Sequence, residues 1–117
     1  MSEPDSWSAW SAERGRLLLR IARESVAEAL GLGAAGGYAA GNYEEPWLRD
    51  PGACFVTLRR LGDLRGCVGS VLAYRSLFED VWSNARASAF RDTRFRPVEA
   101  WERLGCACWF VLVDAPC

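Results

Sequence analysis

Histidine and lysine are both missing from this 117-residue sequence, and each absence removes a set of mechanisms. Without histidine there is no Ser/His/Asp triad, no Cys/His dyad and no zinc site with imidazole ligands. Without lysine there is no side-chain Schiff base and no Walker-type phosphate loop. Proton transfer must then fall to Asp, Glu, Cys, Tyr, a water or a bound cofactor, and no residue pattern says which cofactor that would be. The net charge of −1 supplies no broad positive field, which argues against general nucleic-acid binding. A long apolar run is also lacking. The longest, residues 106–113, is far short of the roughly 20 residues that cross a bilayer as a helix, so no membrane association is expected. The start, Met-Ser-Glu-Pro-Asp, is acidic and leads into nothing resembling a secretory signal. Five cysteines, an odd number without regular spacing, then fit reduced thiols in a cytoplasm.

Half of the residues are hydrophobic and a quarter charged, the make-up of one globular domain of about this length. Ser11 can cap a helix reading to about Leu30, because Leu17, Leu18, Ile21, Ala22, Ser25, Val26 and Ala29 recur at three-and-four spacing. Gly31 is placed to end it. Residues 31–50, rich in Gly, Ala and Tyr without a clear period, read as a flexible loop. Residues 53–58 and 64–71 read as two strands joined by a turn at Gly62. Ser76-Leu77-Phe78-Glu79 has the form of a capping box, opening a second helix that ends near Phe90. An arginine-rich loop follows, then a helical turn within 98–104 and a buried strand over 106–113.

Gly31-Leu32-Gly33-Ala34-Ala35-Gly36 spells G-x-G-x-x-G, yet it follows a helix, whereas a dinucleotide site needs those glycines between a strand and a helix N-terminus. A helix cap is the better reading. Cys106 and Cys108 would share one face of a strand, but Trp109, Phe110 and Val111 beside them favour a core strand over metal ligation, and no metal site is expected. Arg86, Arg91, Arg94 and Arg96, with Phe90 and Phe95 interleaved, could form a phosphate- or base-binding patch. Against this stands a solvated helix end whose arginines pair with Asp92.

The segment Leu64-Arg65-Gly66-Cys67-Val68-Gly69 carries the strongest signal. Glycine inside a strand weakens it and marks a bulge or the close approach of a ligand or another backbone. Arg65 and Cys67, two apart in an extended run, would share a face, where a guanidinium favours thiolate over thiol. The N–H groups of Gly66 or Gly69 could meet an anion. The competing reading is a glycine-bulged hairpin with an inert, buried Cys67.

These residues resemble the L-R-G-C-I-G signature of the AMMECR domain family. The likeness extends to Pro51-Gly52-Ala53-Cys54-Phe55-Val56-Thr57-Leu58, which is similar to the strand before that signature. It extends also to Ala89-Phe90-Arg91-Asp92-Thr93-Arg94-Phe95, similar to the family's A-F-R-D-x-R-F segment. The resemblance implies an α+β domain, an antiparallel sheet with flanking helices. In the family's bacterial form, AmmeMemoRadiSam system protein A, it implies a Memo-like protein and a radical SAM protein as partners. It implies no settled reaction. Carried over, it marks Arg65, Gly66, Cys67 and Gly69, and beyond them Arg91, Asp92, Arg94 and Phe95. The family domain runs well past residue 117, so the resemblance also implies an incomplete domain whose open sheet edge invites another chain or a second copy.

Two functional readings follow. In one, Cys67 is a functional thiol, a nucleophile or redox group, supported by Arg65, with Asp63, Glu79 or Asp92 as acid or base. In the other, the domain is a non-catalytic ligand-binding or adaptor module whose glycines let a ligand or partner strand approach the backbone.

Overall fold

The structure, a computed structural model, describes residues 3–31, 43–102 and 109–114. Helix α1 spans Glu3–Ala29. Strands β1 (Phe55–Arg60) and β2 (Asp63–Gly69) form a hairpin, helix α2 covers Leu77–Phe90, and strand β3 covers Trp109–Asp114. Short 3₁₀ turns occupy Pro46–Leu48 and Ala100–Glu102. The sheet is antiparallel with order β2-β1-β3, and both helices pack on one side of it, as an α+β fold.

Helix α1 begins eight residues before the expected cap at Ser11, which lies inside it. Residues 3–10 contain nothing that breaks a helix there, since Pro4 falls in the first turn, where its missing N–H is no loss. The far end follows the sequence. Gly31 adopts φ 78° and its N–H reaches Glu28 O at 3.0 Å, closing the helix. Of the expected loop, residues 32–42 lie outside the described residues, while Leu48 on the following 3₁₀ turn is buried in the core. Cys106 and Cys108 also lie outside the described residues.

Ser76 caps α2 through its side chain: Glu79 N–H donates to Ser76 Oγ, whose hydroxyl donates to Glu79 Oε1. The hairpin turn is only two residues, Leu61 (φ 54°) and Gly62 (φ 84°), the pair of positive φ values that a type I′ connection requires. The core joins Leu18, Ile21, Ala22 and Val26 of α1 to Val81, Ala85 and Ala89 of α2, and to Val56, Leu58, Trp109 and Val111 of the sheet. Ser25, buried on α1's inner stripe, donates to Trp82 O at 2.7 Å and so ties the two helices where they cross.

Gly15 sits inside α1 with no atom within 4 Å of where a Cβ would stand. Gly15→Ala therefore removes glycine's helix penalty without a clash and should stabilise the fold by about 0.8–1 kcal/mol, read as a higher urea midpoint. An unchanged or lower midpoint would show that α1 is not helical at this position.

Candidate functional site

Residue parity places the signature. Val56, Leu58, Val111 and Val113 face the helices, and so do Gly66 and Val68 paired with them. Thr57, Phe55 and Leu112 face away, and with them Cys67 and Gly69. The pairing runs Leu58 with Gly66 and then Arg59 with Leu64, so Arg65 is the extra residue of a β-bulge. The Arg65 guanidinium, expected beside the Cys67 thiol, has its partners elsewhere.

Arg65 turns instead to Glu102. Its Nε and Nη2 donate to the two carboxylate oxygens at 3.1 and 3.0 Å, while Nη1 and Nη2 donate to Arg96 O and Pro97 O at 2.7 and 3.2 Å. Glu102 is buried, and Arg96 Nη1 and Glu99 N–H complete its shell, each at 3.0 Å. Burial acts to raise the Glu102 carboxyl, but the hydrogen bonds and charges from Arg65, Glu99 N–H and Arg96 outweigh it and hold the group below its ordinary value.

Gly66 explains itself by space. A Cβ there would stand 2.0 Å from Ser88 O, so α2 lies directly on β2 at this point. Ser88 Oγ, in turn, donates to Val56 O at 2.7 Å and accepts from Val68 N–H at 3.0 Å. On the outer face, a Cβ on Gly69 would meet the ring of Phe55 at 2.1 Å, so that ring covers the glycine. The expected close approach is thus made by another backbone at Gly66 and by an aromatic side chain at Gly69.

Cys67 is half-buried, and Thr57 Oγ1 lies 3.2 Å from its Sγ across the strand pair. Its N–H points off the free edge of β2 and donates to Asp92 Oδ2 at 3.0 Å. Asp92 also receives Arg94 Nη2 at 2.6 Å and Arg94 Nε at 2.9 Å, and Arg94 Nη2 reaches Cys67 O at 3.4 Å. Arg94 and the Cys67 N–H hold the Asp92 carboxyl well below the carboxylate range. The guanidinium of Arg94 also lies over the Phe95 ring at 5.4 Å. The structure therefore brings Cys67, Asp92, Arg94 and Phe95 together. Arg91 is exposed at the end of α2, and Arg86 lies apart, on Ser25 and Glu28 of α1. Among the described residues, no group of three or more Cys, Asp or Glu is placed to hold a metal ion.

A second polar cluster was not among the expected sites. Asp80, fully buried on α2, accepts from Cys54 N–H, Ser70 Oγ and Arg75 Nε at 2.7–2.8 Å, while Asn84 donates to Cys54 O and to Asp80. Burial pushes toward a higher Asp80 value, but those hydrogen bonds leave it lowered. The signal was available in the sequence: Asp80, Asn84 and Ser88 recur every four residues beside the apolar stripe of α2, a polar line on an inward face. Burial pushes the Cys54 thiol up to about 12.

Two outcomes follow from this geometry. Gly66→Ala forces Ser88 backbone to move and should cost about 1–3 kcal/mol of stability, whereas Gly69→Ala displaces only a half-exposed ring and should cost clearly less; equal losses in urea titration would refute the close packing. The carboxyls of Asp80, Asp92 and Glu102 all sit below their unfolded values. Their contribution is thus complete above the unfolded range of about 3.9–4.3 and is lost as pH falls through the folded values. The urea midpoint should fall steadily below about pH 4, and a midpoint constant from pH 7 to 3 would contradict it.

A sequence-family profile described as AMMECR1 matches residues 19–113. Protein LS215_2104 of Saccharolobus islandicus is 40% identical over 91 residues, which make up 74% of this chain and 39% of that protein. A protein of Aeropyrum pernix is 42% identical over 92 residues, 75% of this chain and 38% of that one. The crystal structure of the uncharacterized protein PH0010 from Pyrococcus horikoshii is similar with a TM-score of 0.74 and 30% identity, covering 88% of this chain and 51% of that chain. This chain thus spans about two fifths of the length of those two relatives and about half of the solved one. With the profile covering most of the chain and the hairpin, bulge and α2 carrying the motifs, the chain belongs to the AMMECR1 family.

Proposed function

We propose that this chain is a non-catalytic binding module of the AmmeMemoRadiSam system, contacting a Memo-like or radical SAM protein through the rim formed by Arg91, Arg94 and Phe95 beside Cys67. The observation that carries this reading is the commitment of Arg65. A catalytic thiol was expected to draw on its charge, and instead all three guanidinium nitrogens are spent on Glu102 and two carbonyls. The acid or base candidates are likewise engaged or remote. Glu79 closes the α2 cap, Asp92 is neutralised by Arg94, and Asp63 sits at the opposite end of β2. What the signature leaves exposed is a rim of arginines beside an aromatic ring, a surface suited to an acidic partner.

The proposal distinguishes structural from contact residues. Arg65→Ala should destabilise the fold by about 1–3 kcal/mol, because it removes the forked partner of buried Glu102 and leaves that carboxylate only Arg96 Nη1 and the Glu99 N–H. Arg91→Glu should leave the fold intact and weaken binding of the purified Memo-like or radical SAM protein at least tenfold by calorimetry. Cys67→Ser should alter that affinity less than threefold. If neither protein binds, membership in this system is wrong.

The second reading, a functional thiol, draws support from Arg94, whose guanidinium lies over the Cys67 carbonyl on the same edge. It would prevail if Cys67→Ser, folded and still binding, abolished turnover in the reconstituted system. Iodoacetamide supplies an independent check. Cys67 should be alkylated well before buried Cys54, and the reverse order would remove Cys67 from consideration.

A further inference from the structure

Helix α1 and the 3₁₀ turn at Pro46 enclose a cavity that has no part in the signature or its rim. It measures about 390 Å³ and is lined by Glu13, Arg14, Leu17 and Arg20 of α1 and by Glu45 and Trp47. That volume falls within the roughly 300–1,000 Å³ of small-molecule sites.

Both walls are held from behind. Glu13, Leu17 and Arg20 recur at helical spacing on one side of α1, and the neighbouring Leu18 and Ile21 are buried in the core. The facing wall is anchored at both ends, since Tyr43 and Leu48 are buried. Between them Leu48 N–H donates to Glu45 O and Arg49 N–H to Pro46 O, each at 3.0 Å. The turn thus fixes the backbone from which Glu45 and Trp47 face α1.

The lining combines two apolar side chains with four charged ones. Leu17 and Trp47 are half-buried and pack against the core, forming the floor. The Arg14 guanidinium lies over the Trp47 ring, 4.4 Å from its centre. Stacking uses the face of a guanidinium, while its N–H donors lie in the plane and point to the side. Glu13, Arg20 and Glu45 are exposed. Two carboxylates and two guanidiniums leave the lining without net charge, and this decides the class of ligand. A simple anion such as phosphate would meet both glutamates, and a simple amine both arginines. An uncharged apolar molecule would strip water from four ions and give none of them a partner.

We infer that this cavity binds a small zwitterion with an apolar side chain, of the α-amino-acid type. Its carboxylate lies against Arg14 and Arg20, its ammonium against Glu13 and Glu45, and its side chain over Leu17 and the indole of Trp47. The site shares no residue with the rim around Cys67, so it stands or falls apart from the binding-module reading.

The test titrates the 117-residue chain with L-phenylalanine at neutral pH, followed by saturation-transfer NMR. Saturable binding is expected with a Kd of roughly a millimolar or below, the range open to a ligand of this size. Phenylpropanoate, which lacks the ammonium, and phenylethylamine, which lacks the carboxylate, should each bind at least about fivefold more weakly. Arg20→Gln and Glu45→Gln alter exposed side chains, and Glu45 makes no side-chain cap bond on its turn. Each variant should therefore keep the urea midpoint while weakening L-phenylalanine by about fivefold. Three results would each overturn the inference: no saturation up to about 10 mM, an acid or amine that binds as tightly as the amino acid, or two folded variants with unchanged affinity.

Discussion

A buried carboxylate on a 3₁₀ turn and a guanidinium on an edge strand, 37 residues apart in sequence, hold the segment after α2 against the hairpin. Neither charge could be buried alone, because an isolated ion in the interior costs several kcal/mol before any partner is considered. The forked, two-point contact of Arg65 with Glu102 offsets that cost, and the backbone carbonyls of Arg96 and Pro97 take up the remaining donors. The chain after α2 is thereby pulled back onto β2. The same pull sets Asp92 against the Cys67 N–H and Arg94 against its carbonyl, so the rim around the thiol depends on an ion pair on the far side of the bulge.

The glycines of the signature serve the same assembly. At Gly66 the helix backbone of Ser88 occupies the space of a side chain, and Ser88 Oγ bonds to both strands of the hairpin beneath it. Asn84 and Asp80, one and two turns earlier, fix the start of the hairpin to the same helix. Three polar residues on one stripe of α2 thus register the helix against β1 and β2, where an apolar stripe alone would permit sliding. Arg65 and Gly66 make the packing contacts described above, and Cys67 is the member of the signature whose side chain lies on the outer face beside Thr57.

Local patterns made much of this legible. The apolar period of α1, the cap at Ser76, the end of α2 at Phe90 and the turn at Gly62 each rest on neighbours within a few residues, and each stands where the sequence puts it. The start of α1 was missed because polar residues with a proline in the first turn resemble a lead-in more than a helix. The partner of Arg65 was missed for a different reason. Alternation along a strand predicts only the side from which a side chain leaves the backbone, and the partner a long arginine reaches is set by a contact far along the chain. Glu102 carried no local mark, because its burial is decided by a contact far along the chain. Strand parity would have been enough to put Thr57 opposite Cys67 had the hairpin register been known.

The two-residue connection between β1 and β2 also sets an order of events. Hairpin closure spans almost no chain, whereas Phe55 meets Asp114 and Arg60 meets Trp109 only after a long intervening stretch has been gathered in. Loop-closure entropy makes the first pairing early and the second late. For that interval the central strand is itself an edge, with Val56 and Leu58 bordering an unfilled position. The vulnerable stage for misassembly is therefore the hairpin and α2 waiting for β3, a different surface from the one the finished fold presents.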